Sequence, residues 1–142
     1  MGEPLSVLLI EDSEDDAMLI VRELKHGGYD VDYERLDTTD AVKDALRRRK
    51  WDVILSDHAM PQICAPSALT IVKEAGLDTP FIIVSGWMTP ELAEEVKKEG
   101  ARDFVPKNRL ARLVPIVERE LKAKKAKKGP GSREETANRK KG

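Results

Sequence analysis

Five polar residues stand just beyond four apolar runs of this sequence. Glu11 and Asp12 follow Leu5–Ile10, and Asp57 follows Val53-Ile54-Leu55-Ser56. Ser85 follows Phe81-Ile82-Ile83-Val84, and Lys107 comes after Arg102–Val105 and Pro106. If the four runs are neighbouring strands, three carboxylates, one hydroxyl and one ammonium meet on one rim. Two carboxylates ~4 Å apart repel by roughly 4 kcal/mol at an effective dielectric of 20. Three would be driven toward their protonated forms unless cations intervened. Lys107 supplies one positive charge, which does not balance three negative ones. A hard divalent cation would complete the balance, and an all-oxygen donor set favours Mg²⁺ over zinc. Such a rim lacks a general base suited to hydrolysis. It has what phosphoryl transfer uses: a carboxylate nucleophile, a metal and a lysine to hold equatorial oxygens. Taken singly, each residue has a plainer reading as a helix cap, a turn hydroxyl or a solvated lysine. The weight lies in four run ends agreeing.

The elements that must position these groups can be read from periodicity. Leu5–Ile10 is short, apolar apart from Ser6, and stops at acids, as a strand buried on both faces does. Ser13 is a helix cap, with Glu14, Asp15 and Asp16 in the first turn, where the helix dipole favours acids. Ala17, Ile20, Val21 and Leu24 recur at helical spacing until Gly27-Gly28. Tyr29–Leu36 alternates, with Tyr29, Val31 and Tyr33 on one side, as an edge strand would. A helix follows over Thr39–Arg49, with Ala41, Val42, Ala45 and Leu46 on one side, then a third strand over Asp52–Ser56. A loop holding Pro61 and Pro66 leads into a helix that runs to about Ala75 and is stopped by Gly76. Phe81–Val84 is the most apolar strand. Thr89-Pro90-Glu91 is a strong helix start, and that helix runs to Gly100. Arg102–Val105 is the fifth strand. The last helix carries Leu113, Ile116, Val117 and Leu121. Pro115 means that regular helix either begins near Leu113 or is kinked. Strand and helix alternate five times, which predicts an α/β fold with a parallel sheet covered by helices on both faces. In such sheets ligands bind beyond the carboxyl ends of the strands.

The 142 residues suffice for one domain with a proper core. The net charge of −1 conceals an asymmetry: residues 1–121 carry 16 Lys+Arg against 24 Asp+Glu, and residues 122–142 carry 9 against 2. The expected domain is 1–121, followed by a basic C-terminal tail, 122–142. The tail reads as disordered, with Gly129-Pro130-Gly131 breaking any helix. No apolar run reaches the ~20 residues of a membrane span. Cys64 is the only cysteine, which excludes an internal disulfide and suits a reducing compartment. No signal peptide precedes the first strand, and Met1 just ahead of it favours a natural start.

Over about residues 5–121 the sequence resembles the response-regulator receiver family of two-component signalling. The resemblance rests on Glu11-Asp12, on Asp57 within Leu55-Ser56-Asp57-His58-Ala59-Met60-Pro61, on Ser85 within Val84-Ser85-Gly86, and on Lys107 with Phe104 three residues earlier. It implies a flavodoxin-like, doubly wound (βα)5 three-layer sandwich with strand order 2-1-3-4-5. It also implies that Asp57 accepts a phosphoryl group from a sensor histidine kinase or phosphotransfer protein. Asp12 and Asp57 would ligate Mg²⁺ directly and Glu11 through water, with the backbone carbonyl of Ala59 completing the protein's share. Lys107 and Ser85 would grip the phosphoryl oxygens, and Ser85 and Phe104 would act as the switch that reshapes a protein-binding face. The implied setting is cytoplasmic, with a downstream protein target and room for a phosphorylation-dependent dimer. The domain would be a phospho-acceptor that assists its own phosphotransfer, not an enzyme. Either a stand-alone regulator or the receiver segment of a hybrid kinase fits, as does a receiver-like module working without phosphorylation.

The sequence departs from the family pattern in two places. Asn108 follows Lys107 where proline is usual, which bears on the lysine loop. Gln62 and Ala65 stand where glycines are usual, and Pro66 follows. A haloacid-dehalogenase-type phosphatase would need an aspartate two residues after its nucleophile, but Asp57 is followed at that distance by Ala59 and Asp12 by Glu14. No glycine-rich phosphate loop follows any strand. The tail lysines could hold nucleic-acid phosphates only nonspecifically, and a solvated tail is the simpler reading. His58 reads as an exposed loop histidine and His26 as a helix-end residue. Trp51 and Trp87 read as edge packing, Arg47–Lys50 as a solvated helix end, and Cys64 as inert.

Overall fold

The computed structural model describes residues 2–58, 65–86 and 89–127. Ala59, Met60, Pro61, Gln62, Cys64 and Trp87 lie outside the described residues, as does the tail from Lys128 on.

Five parallel strands are joined by helices: β1 (Glu3–Ile10), α1 (Glu14–His26), β2 (Tyr29–Leu36), α2 (Thr39–Arg48), β3 (Val53–Ser56), α3 (Ala65–Glu74), β4 (Phe81–Ser85), α4 (Pro90–Glu99), β5 (Asp103–Pro106) and α5 (Leu113–Lys127). The sheet order is β2-β1-β3-β4-β5, the order implied by the resemblance.

Side chains of the inner strands point alternately to the two faces, and each face has its own core. Leu5, Val7, Leu9, Val53, Leu55, Ile82, Val84 and Val105 pack beneath α1 and α5, against Ile20, Leu24, Leu113 and Val117. Leu8, Ile10, Ile54, Phe81 and Ile83 face α2, α3 and α4, against Val42, Ala45, Leu69, Val72 and Val96. This two-sided burial explains why the inner strands read as nearly unbroken apolar runs.

Local signals set the helix ends. Ser13, Thr38 and Thr89 each cap a helix by accepting a backbone N–H three residues on, and Pro90 opens α4. Gly100 ends α4 at φ 125, where a Cβ would be strained.

Several elements differ from the sequence reading. Pro66 sits in the first turn of α3, not in the loop ahead of it. A 3₁₀ segment, Lys107–Arg112, precedes α5, so Pro115 falls in the first turn of that helix. Its missing N–H costs nothing there, because first-turn N–H groups have no intrahelical acceptor. α5 runs to Lys127, six residues past the boundary expected after 121, since alanine and lysine are good helix formers. Tyr33 is 42 % exposed on the edge strand, while Tyr29 is buried. Trp51 is not edge packing. It is buried in the α2–α4 core, and its Nε1–H donates to the Ala45 carbonyl at 3.1 Å. Arg48 and Arg49 are exposed as expected but paired: Arg48 to Asp44 and Glu34, and Arg49 to Asp32, with its guanidinium 4.4 Å above the Trp51 ring.

Candidate functional site

Strand register assembles the site. Ile10 pairs with Ser56, so the residues that follow, Glu11 and Asp57, leave the sheet side by side. The Asp57 N–H donates to the Ile10 carbonyl at 2.9 Å and holds that exit in place. Ser85 pairs with Pro106, which sets Gly86 beside Lys107 in the same way. A Cβ on Gly86 would stand 4.0 Å from Lys107 Cδ, so the lysine stem passes close over that glycine. Because β1, β3, β4 and β5 are parallel, all four ends lie on one rim.

The groups meet as a charge cluster. Lys107 Nζ lies 2.9 Å from Asp57 Oδ2, 2.9 Å from Glu11 Oε1 and 2.6 Å from Asp16 Oδ2. Glu11, Asp57 and Ser85 are buried, and Asp12 is exposed. One carboxylate oxygen each from Glu11, Asp12 and Asp57 lies within 4.8 Å of the other two. Glu11 Oε2 accepts the Ser13 N–H at 3.1 Å. Its Oε1 is buried, and among the described residues it is held by the ion pair with Lys107 and no further hydrogen bond.

Burial pushes the Glu11 carboxyl above its ordinary pKa. Lys107 and the Ser13 N–H pull it down, and the neighbouring Asp57 charge pushes it up again. Burial would lower the Lys107 ammonium, but Asp16, Glu11 and Asp57 outweigh it and hold that pKa well above its ordinary value. The lysine is therefore a fixed cation among acids.

These residues fit a hard cation. Three carboxylates of one rim converge, one of them bears a buried oxygen met by the Lys107 ammonium alone among the described residues, and every donor is oxygen. Asp57 can serve as a nucleophile, with Lys107 in place to hold negative oxygens transferred to it.

Glu11, Asp12, Asp57 and Lys107 come together as the sequence reading expected. Ser85 is buried at the adjoining strand end. Phe104 pairs with Ile83 on β4 and packs, half-buried, against the α2–α4 core. The Ala59 carbonyl lies outside the described residues. Every peptide bond among the described residues is trans, Lys107–Asn108 included. His58 is not an exposed loop histidine. It is half-buried, and its Nδ1 is buried with no hydrogen-bond partner among the described residues.

Two participants escaped the sequence reading. Asp16 looked like one of three acids favouring a helix start, yet it reaches Lys107 across 91 positions. Arg35 lies on the edge strand, from which the sequence analysis drew no site residue. Its Nη1 donates to the Glu11 carbonyl at 3.1 Å, and its Nη2 lies 3.7 Å from Glu14 Oε2.

The sequence profile of the response regulator receiver domain matches residues 7–118. Sensor kinase CckA of Brucella abortus (strain 2308) is 30 % identical over 103 residues, which cover 72 % of this chain and 11 % of the kinase. Two-component response regulator ORR42 of Oryza sativa subsp. japonica is 29 % identical over 126 residues, 89 % of this chain and 93 % of that protein. The chain thus spans a small part of the kinase and nearly all of the rice regulator. Among solved structures, the receiver domain of sensor histidine kinase PA1611 from Pseudomonas aeruginosa PAO1 superimposes with a TM-score of 0.70 at 24 % identity, covering 86 % of this chain and 99 % of that one. It carries a magnesium ion coordinated in its active site cleft.

Proposed function

The chain belongs to the response regulator receiver family of two-component signalling, and from that premise we propose that Asp57 is its phospho-acceptor in a Mg²⁺-dependent reaction. One observation carries the reading. Asp57, 7 % exposed, is held 2.9 Å from the Lys107 ammonium, within a set of three carboxylates whose oxygens approach one another to within 4.8 Å.

In the proposed reaction an Asp57 carboxylate oxygen attacks the phosphorus of a phosphohistidine on a sensor histidine kinase or phosphotransfer protein. The new P–O bond forms as the P–N bond breaks, and the imidazole leaves with the electron pair and takes up a proton. Glu11, Asp12 and Asp57 would hold Mg²⁺, which would neutralise charge building on the phosphoryl oxygens. The Ala59 carbonyl is assigned the remaining protein ligand by resemblance. Lys107 stays cationic and turns its N–H donors to the transferred group. Ser85 supplies a hydroxyl to the same group from the end of β4. Withdrawal of that hydroxyl toward the phosphoryl group opens space for Phe104 on the adjoining strand, which alters the face formed by α4, β5 and α5.

A downstream protein reads that face, and a second copy of the chain is a candidate reader. No helix among the described residues is long and apolar enough to cross a membrane. We place the domain in the cytoplasm, where kinase and nucleotide are available, either alone or as the receiver part of a hybrid kinase.

Acetyl phosphate with Mg²⁺ should add one phosphoryl mass to the wild-type chain and none to Asp57→Asn, by intact-mass spectrometry. Absence of an adduct with acetyl phosphate and with a phosphohistidine donor alike would overturn the reading. The chain would then be a receiver-like interaction module that works without phosphorylation.

A further inference from the structure

Lys107 has one more carboxylate around it than phosphoryl transfer requires. Glu11 and Asp57 belong to the set that would hold the metal, whereas Asp16 does not. Yet Asp16 Oδ2 makes the shortest contact to Nζ, 2.6 Å against 2.9 Å for each of the other two. Asp16 sits in the first turn of α1, where its own N–H is bonded to the Ser13 hydroxyl at 3.2 Å. A helix-start acid needs only that location to satisfy the dipole. Reaching across to the end of β5 is an additional feature.

A cation entering among Glu11, Asp12 and Asp57 meets a competitor already there, since Lys107 shares two of those three carboxylates. The ammonium and a dication repel, and each weakens the other's hold on the shared oxygens. A carboxylate outside the metal set offers the ammonium another partner. It would keep Lys107 within reach of Asp57 without requiring the oxygens the cation needs.

We propose that Asp16 is a positioning residue that draws Lys107 toward α1, so that Glu11 and Asp57 can bind a divalent cation while the lysine remains beside the phospho-acceptor. The inference rests on the metal reading above and assigns a role to a residue outside the metal set. Asp16 acts here through Lys107 and not by direct coordination.

The test is a double-mutant cycle read by Mg²⁺ binding, followed through backbone amide shifts of Glu11, Asp12 and Asp57 in NMR titrations. Wild type, Asp16→Asn, Lys107→Met and the double variant are compared. The same spectra report whether each chain is folded, and Asp16→Ser provides a second variant. Asp16→Asn should weaken Mg²⁺ binding about fivefold, the worth of a partly exposed ion pair of ~1 kcal/mol. In the Lys107→Met background the same substitution should change it by less than about twofold, because the competitor is gone. An equal loss in both backgrounds would mean that Asp16 acts on the cation through its own charge. No loss in either would mean that Asp16 is only a helix-start acid. Both results overturn the proposal. If wild type itself shows no saturable Mg²⁺ response at the three acids, the metal reading fails, and this inference fails with it.

Discussion

Glu11 Oε1 lies buried 2.9 Å from Lys107 Nζ as an ion pair, while Oε2 of the same carboxylate accepts the Ser13 N–H at 3.1 Å. A buried carboxylate oxygen thus relies on one ammonium that Asp16 and Asp57 also share. That is an expensive arrangement for stability and a useful one for binding a cation.

Glu11→Gln should therefore stabilise the metal-free protein by about 1 kcal/mol, chiefly by removing a buried charge and secondly by ending its repulsion with Asp57. The glutamine oxygen can still accept the Ser13 N–H. The gain should depend on pH with a definite sign. Because the folded pKa of Glu11 lies above its ordinary 4.5, its contribution is fully present below pH 4.5. It is lost as pH rises through the raised value, so the variant's advantage should grow over that window. Urea unfolding in EDTA at several pH values checks this, and Mg²⁺ binding should weaken in the same variant.

Lys107→Met should destabilise the metal-free domain by about 2 kcal/mol, since it leaves Glu11, Asp16 and Asp57 without their common cation. The Lys107 pKa is raised above 10.5, so its contribution is complete below pH 10.5 and is lost only above it. Across the neutral range lysine titration should therefore add no slope to the difference between variant and wild type. Saturating Mg²⁺ should raise the melting temperature more in the variant than in wild type, because the dication supplies the missing charge. Differential scanning calorimetry with and without Mg²⁺ measures both effects.

Gly27→Ala should cost about 1–3 kcal/mol through overpacking. The Gly27 backbone is unstrained at φ −78, but a Cβ would stand 2.6 Å from Val114 Cγ2 and 2.8 Å from Cγ1. A β-branched side chain has little freedom to swing aside. Adding Val114→Ala should recover part of the loss, which chemical denaturation would show. Simple additivity of the two substitutions would contradict the steric cause.

Trp51→Phe should cost about 1–2 kcal/mol, chiefly from the Ala45 carbonyl left without its donor. Trp51 precedes β3, at the end of the strand away from Asp57, so a fluorescence change on Mg²⁺ or phosphoryl addition should survive this substitution. The remaining signal would come from Trp87, two residues after Ser85. Loss of the response in Trp51→Phe would place the reporter in the core instead.

The strand-and-helix alternation, and the rim on which chemistry had to collect, are legible in local spacing along the chain. Each apolar run is bounded by residues that cannot continue it, and Glu11-Asp12, Asp57, Ser85 and Lys107 stand at those bounds. Caps at Ser13 and Thr89 are equally local, because a side-chain oxygen three residues before an N–H needs no tertiary partner. Contacts that depend on register between distant segments emerge only when the layers pack. Asp16 and Lys107 meet because the start of α1 and the end of β5 face each other, and periodicity carries no information about that approach. Arg35 reaches Glu11 because β2 runs beside β1 in a fixed register. Trp51 looked like edge packing because its position before β3 gave no sign that it would join the core on the α2–α4 side of the sheet. Local chemistry is written in spacing along the chain, whereas pairing across the fold is set by how packed layers align.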